Sequence, residues 1–166
     1  MTYLITFACY GSHLHGDESG SVDRNHNLRG SRPVNADPRR VLAARQQMNQ
    51  LPYHMDQSRR EAVLAAVQER CSDRQWNLLA AHVRTNHVHI VADADVAPER
   101  IMNDLKSYAS RSLNCLGLGE PNQKRWARHG STRWLKKPLS VSAAIRYVVD
   151  EQGEPMSVFE AVDKLG

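Results

Sequence analysis

Residues 2–10, Thr-Tyr-Leu-Ile-Thr-Phe-Ala-Cys-Tyr, are dense in β-branched and aromatic side chains and predict a first, mostly buried strand that Gly11 ends. Residues 12–37 are polar and glycine-containing, too long for an ordinary connection, and are expected to form an inserted loop that is either functional or mobile. Residues 38–50 carry Val41, Ala44, Arg45 and Met48 on one side of a short amphipathic helix. Asp56 then caps a longer helix ending near Cys71, with Val63, Leu64, Val67 and Cys71 as its apolar stripe. Residues 76–84 and 87–93 alternate as two strands of a hairpin turned around Thr85-Asn86. Pro98 and Glu99 open a helix whose Met102, Leu105, Ala109, Leu113 and Leu116 recur at three- and four-residue spacing. Residues 131–136 supply another strand. Ser140 or Ser142 caps a last helix with Val141, Ile145, Val148 and Val149 inward and Gly153 at its end.

This β-α-β-β-α order predicts an α+β fold, a ferredoxin-like antiparallel sheet with helices packed on one face. A length of 166 residues suits one domain, drawn over residues 1–150 with the loop 12–37 inserted, and a C-terminal tail over 151–166. Three cysteines, Cys9, Cys71 and Cys115, form no CxxC pair and indicate neither a disulfide framework nor a zinc knuckle. With no long apolar run and no basic-then-apolar leader, a cytoplasmic location is expected.

Candidate chemistry concentrates in the second strand of the hairpin. Successive side chains of a strand point to opposite faces, so His87 and His89 project together while Val88 and Ile90 face the core. Imidazole is a common ligand of divalent metals, and a rigid strand defines such a pair better than a loop does. A second His-x-His, His13-Leu14-His15, runs straight into Gly16 and turn residues, so nothing fixes its two rings on one face. On the following helix Asp104, Tyr108 and Arg111, spaced by four and three, share one face. The net charge is +4, yet residues 100–140 hold nine Lys and Arg against Asp104 and Glu120. A cation-rich third of the chain behind a metal-binding pattern points to a polyanionic substrate.

His-hydrophobic-His on a strand, followed about twenty residues on by a helix bearing one tyrosine, resembles the HUH-superfamily single-tyrosine transposases of bacterial insertion sequences and their REP-associated relatives. The segment from Arg125 to Trp134 resembles the block that those proteins place after the tyrosine helix, and the likeness spans roughly residues 1–150. The resemblance implies a DNA strand transferase that cleaves and rejoins single-stranded DNA through a 5′-phosphotyrosine, with Tyr108 as nucleophile and His87 and His89 holding Mg²⁺ or Mn²⁺. It further implies single-stranded and hairpin DNA as partner and a homodimer. Members of the family usually carry a third metal ligand four residues beyond the tyrosine, and Ser112 stands there; Asp104, one turn before Tyr108, is the alternative oxygen donor. Arg84, Lys106, Arg111, Arg125, Arg128 and Arg133 are the candidate phosphate contacts, and Trp126 or Trp134 could stack on unpaired bases.

Other classes are weighed by the same residues. A histidine-triad hydrolase needs a further His where Val91 stands, and a cyclic phosphodiesterase needs two His-x-Ser/Thr motifs, whereas neither His-x-His here ends in a hydroxyl residue. A non-catalytic nucleic-acid-binding module derived from a transposase is the alternative that the residues leave open.

Overall fold

The computed structural model describes residues 1–12 and 50–162. The inserted loop, with His13-Leu14-His15, and nearly all of the short helix expected over 38–50 lie outside the described residues. The elements run β1 (Thr2–Cys9), α1 (Gln57–Asp73), β2 (Asn77–Val83), β3 (His87–Asp93), α2 (Pro98–Cys115), β4 (Trp126–Leu135), α3 (Pro138–Asp150) and β5 (Ser157–Glu160). The strands form one sheet in the order β4-β1-β3-β2-β5, and every neighbouring pair is antiparallel. This is the expected α+β, ferredoxin-like antiparallel sheet with a fifth strand added beside β2; the helices expected on one face are α1 and α2, whereas α3 packs on the other.

Local signals account for the elements. Asp56 accepts the Arg59 N–H at 3.0 Å and caps α1, as its position before the apolar stripe predicts. Pro98 opens α2. In α3 it is Pro138, with Lys137 as the cap residue, that starts the helix, so neither Ser140 nor Ser142 is the cap. Within the expected tail over 151–166, residues 157–160 instead join the sheet: β5 pairs with β2, Ala81 opposite Phe159 and His82 opposite Val158.

Two cores result. Tyr3, Ile5, Phe7, Val88 and Ile90 bury one face of the sheet against Val63 and Val67 of α1 and Ile101, Leu105 and Leu113 of α2. On the opposite face Ala80, Val91 and Leu135, with Leu4 and Leu79 beside them, meet Ala144 and Val148 of α3. Alternation along the strands feeds both layers. The handedness of crossovers explains the division. The connections β1-α1-β2 and β3-α2-β4 join parallel strands and cross the sheet in opposite directions from oppositely pointing strands, so right-handedness puts both helices on one side. The β4-α3-β5 connection leaves a strand parallel to β3 but travels the other way, and the same rule puts α3 on the far side. Among the described residues no helix is long and apolar enough to cross a membrane.

Candidate active site

The face covered by α3 carries the histidines. In the register of the sheet His89 lies between Thr6 of β1 and His82 of β2, one residue pair away from the contacts of Val91 with α3. The rings of His87 and His89 meet edge to face with centroids 4.7 Å apart, as the strand alternation predicts. Each has a polar neighbour at Nδ1: Asn86 Oδ1 at 2.6 Å from His87, and Thr6 Oγ1 at 2.8 Å from His89. A proton on Nδ1 of His89, donated to Thr6, leaves its Nε2 lone pair for a ligand.

Burial pushes the pKa of His89 down to about 3, helped by His87, His82 and Arg84 and opposed by a side-chain hydrogen bond with Gln152. The ring is therefore neutral at physiological pH, the form that binds metal. Its Nε2 is buried and has no hydrogen-bond partner of good geometry, since the Gln152 amide nitrogen donates to the Tyr147 carbonyl at 2.9 Å. That donation leaves the amide oxygen of Gln152 as its remaining donor atom toward the site.

The tyrosine that faces this pair is Tyr147 of α3. Its ring lies 5.6 Å from that of His89, edge to face, and it is 40% exposed. Tyr147, His89 and Thr6 line a groove of about 450 Å³ completed by Leu4, Ser131 and Arg133 of the sheet and by Ser140, Ala143 and Ala144 of α3.

Tyr108 does not share the pocket. It belongs to α2 and packs on the opposite core, with the guanidinium carbons of Arg70 and Arg111 5.0 and 5.8 Å from its ring centre. A side-chain hydrogen bond with Glu69 raises its pKa, the reverse of what a phenolate nucleophile needs. Asp104 is on that side too, held by Arg70 Nε at 2.8 Å and Arg74 Nε at 3.0 Å, and is no ligand of the histidines. Ser112, on the same helix, is likewise across the sheet. The expected meeting of Tyr108 and Asp104 with His87 and His89 is thus corrected: a whole sheet separates them.

The cations also divide. Lys106 is buried and donates to the carbonyls of Ala127 and His129 at 3.0 and 3.3 Å; burial lowers its pKa to about 8. Arg125, 3% exposed, donates to Asn114 Oδ1 at 2.7 Å and serves the loop after α2. Neither is a phosphate contact. Arg111 lies beside Tyr108, and Arg84 donates to the Glu154 carbonyl at 3.0 Å. Arg128 and Arg133 are exposed, and Arg133 alone of the six lines the groove. Trp126 is engaged internally, its Nε1–H shared between the Lys106 carbonyl and Ser110 Oγ, whereas Trp134 is 48% exposed under Lys136.

Sequence reasoning missed Tyr147 because the inward positions of α3 were sought only among apolar residues. Its signal was present: it lies three residues after Ala144 and next to Val148, on the rim of the buried stripe.

Among solved structures, a REP-associated tyrosine transposase bound to a REP hairpin is similar to 89% of this chain, at 12% identity and a TM-score of 0.47; the chain spans 64% of that protein. No curated protein matches. A family model described as IS200-like transposase matches residues 45–137, a stretch that contains His87 and His89 and stops one residue short of α3. Since that match covers more than half of the chain, the protein belongs to the IS200-like transposase family.

Proposed function

We propose that this transposase cleaves and rejoins single-stranded DNA, hairpin-bearing strands included, with Tyr147 as the nucleophile. The observation that carries the reading is the edge-to-face approach of Tyr147 to His89, 5.6 Å between ring centres, at the end of an open groove. In the forward step the Tyr147 Oη–phosphorus bond forms, the phosphorus–O3′ bond breaks, the phenolic proton passes to solvent and the departing O3′ takes one up. A 5′-phosphotyrosine and a 3′-hydroxyl result. The reverse step reseals a strand without a nucleotide cofactor, because the phosphodiester bond energy is kept in the protein–DNA link.

The donor set fits Mg²⁺ or Mn²⁺: the imidazole of His87, the neutral ring of His89 with its buried Nε2, and the amide oxygen of Gln152. His87 and His89, with Gln152, are the residues that would hold it; among the described residues no third His, Cys, Asp or Glu joins the pair. When bound, the cation supplies positive charge that polarises the phosphate and favours the phenolate. Thr6 and Asn86 orient the two rings through Nδ1.

The test incubates the protein with a library of labelled hairpin oligonucleotides carrying randomised single-stranded flanks, with Mn²⁺, and scores covalent adduct on a denaturing gel. Tyr147→Phe abolishes the adduct, whereas Tyr108→Phe and Asp104→Ala retain it. Adduct that survives in Tyr147→Phe and disappears in Tyr108→Phe overturns the assignment. Tight DNA binding without adduct in any form identifies a non-catalytic binding module instead.

A further inference from the structure

We propose that the groove between β4 and the start of α3 is a one-nucleotide site for the DNA residue flanking the cleaved bond, with Arg133 on that nucleotide's phosphate. The inference rests on the reading of Tyr147 as nucleophile and adds the substrate contact beside it.

The register places the walls. Thr6 and Ser131 stand in the row of His89, and Leu4 and Arg133 in the next same-face row, that of Val91, so all four side chains rise from the α3-covered face. Leu4, Ala143 and Ala144 make a small apolar floor; Ser131, Ser140 and Arg133 carry the polar atoms at its rim. A volume of about 450 Å³ lies in the range of pockets for small ligands, roughly 300–1,000 Å³, and suits one base and sugar better than a stretch of duplex. Among the described residues no carboxylate lines the groove. Nor does the Arg133 guanidinium form any hydrogen bond or ion pair with them, whereas Lys106, Arg125 and Arg84 all have internal partners. An exposed guanidinium with no partner among the described residues, in a groove whose described lining holds no acid and ends at a histidine and a tyrosine, matches an anionic oxygen; guanidinium suits phosphate through two parallel N–H donors. Apolar flooring against the base and hydroxyls at the rim complete the chemistry of a nucleotide.

The probe is thymidine 3′,5′-bisphosphate, titrated into the ¹⁵N-labelled protein and followed by amide shifts. Shifts centred on Ser131, Arg133 and Ser140 are expected. Arg133→Gln, at an exposed position that leaves both cores intact, weakens binding about tenfold or more, as expected for loss of a charged hydrogen bond, and Arg133→Lys recovers part of it. Shifts centred elsewhere, the absence of any, or equal affinity of Arg133→Gln and wild type overturns the nucleotide site and leaves the nucleophile assignment standing. Adduct persisting in Tyr147→Phe overturns the nucleophile instead.

Discussion

His82 Nδ1 of β2 and the carbonyl of Val148 on α3 lie 2.9 Å apart, and His82 Nε2 accepts the Met156 N–H at 3.0 Å, so one fully buried ring ties the tyrosine helix and the chain after it to the sheet. The acceptor role of Nε2 assigns the proton to Nδ1, which makes the ring neutral. Replacing His82 with Leu leaves the Val148 carbonyl without its partner and is expected to cost about 1–3 kcal/mol. Urea unfolding measures this. His82→Asn keeps a donor toward Val148 and recovers most of the loss; equal destabilisation by both variants would show that the ring acts by packing alone.

Stability falls in mild acid. The pKa of His89 is depressed in the folded protein to about 3 from an unfolded value near 6.5, and burial lowers that of His82 in the same direction. A group of this kind contributes no loss above the unfolded pKa, and stability then drops as the pH falls from about 6.5 toward the folded value, since the unfolded chain takes up the proton first. At pH 5 His89 accounts for a loss of about 2 kcal/mol relative to pH 7.5. Chemical denaturation in EDTA at the two pH values checks it, with His89→Asn flattening the slope. A midpoint that does not move between them contradicts the neutral buried ring.

Gly130 has no room for a side chain. A Cβ there would meet the Thr6 carbonyl oxygen and Met102 Sδ, each at 2.5 Å. Because Thr6 Oγ1 also holds His89 Nδ1, Gly130→Ala is expected to lower stability by about 1–3 kcal/mol and to disturb the His89 ring. A shifted His89 ring resonance in the ¹³C-NMR spectrum and a lowered urea midpoint are the joint signature; an unchanged resonance separates the two effects.

The hairpin and its histidine pair were legible because a period of two is a local property: knowing that residues 87–93 are a strand suffices to put His87 and His89 together. Asp56, Pro98 and the stripe of α1 were legible for the same reason. What residues 98–115 could not disclose was the side of the sheet on which their helix would lie. That depends on strand order and on the direction of each crossover, so Tyr108, at the spacing expected from the family likeness, was matched with a site it does not face. Reading residues 151–166 as a tail removed β5, and without β5 the far-side placement of α3, hence of Tyr147, cannot be derived. Lys106 and Arg125 misled differently. A cation count carries no record of which side chains find backbone carbonyls to bond.

The fifth strand has an effect beyond edge protection. It lies at one border of the sheet and β4 at the other, so α3 spans the sheet like a beam fastened at both banks. Tyr147 and His89 thereby meet within a single copy of the chain, so in the proposed chemistry neither group has to be lent by a neighbour.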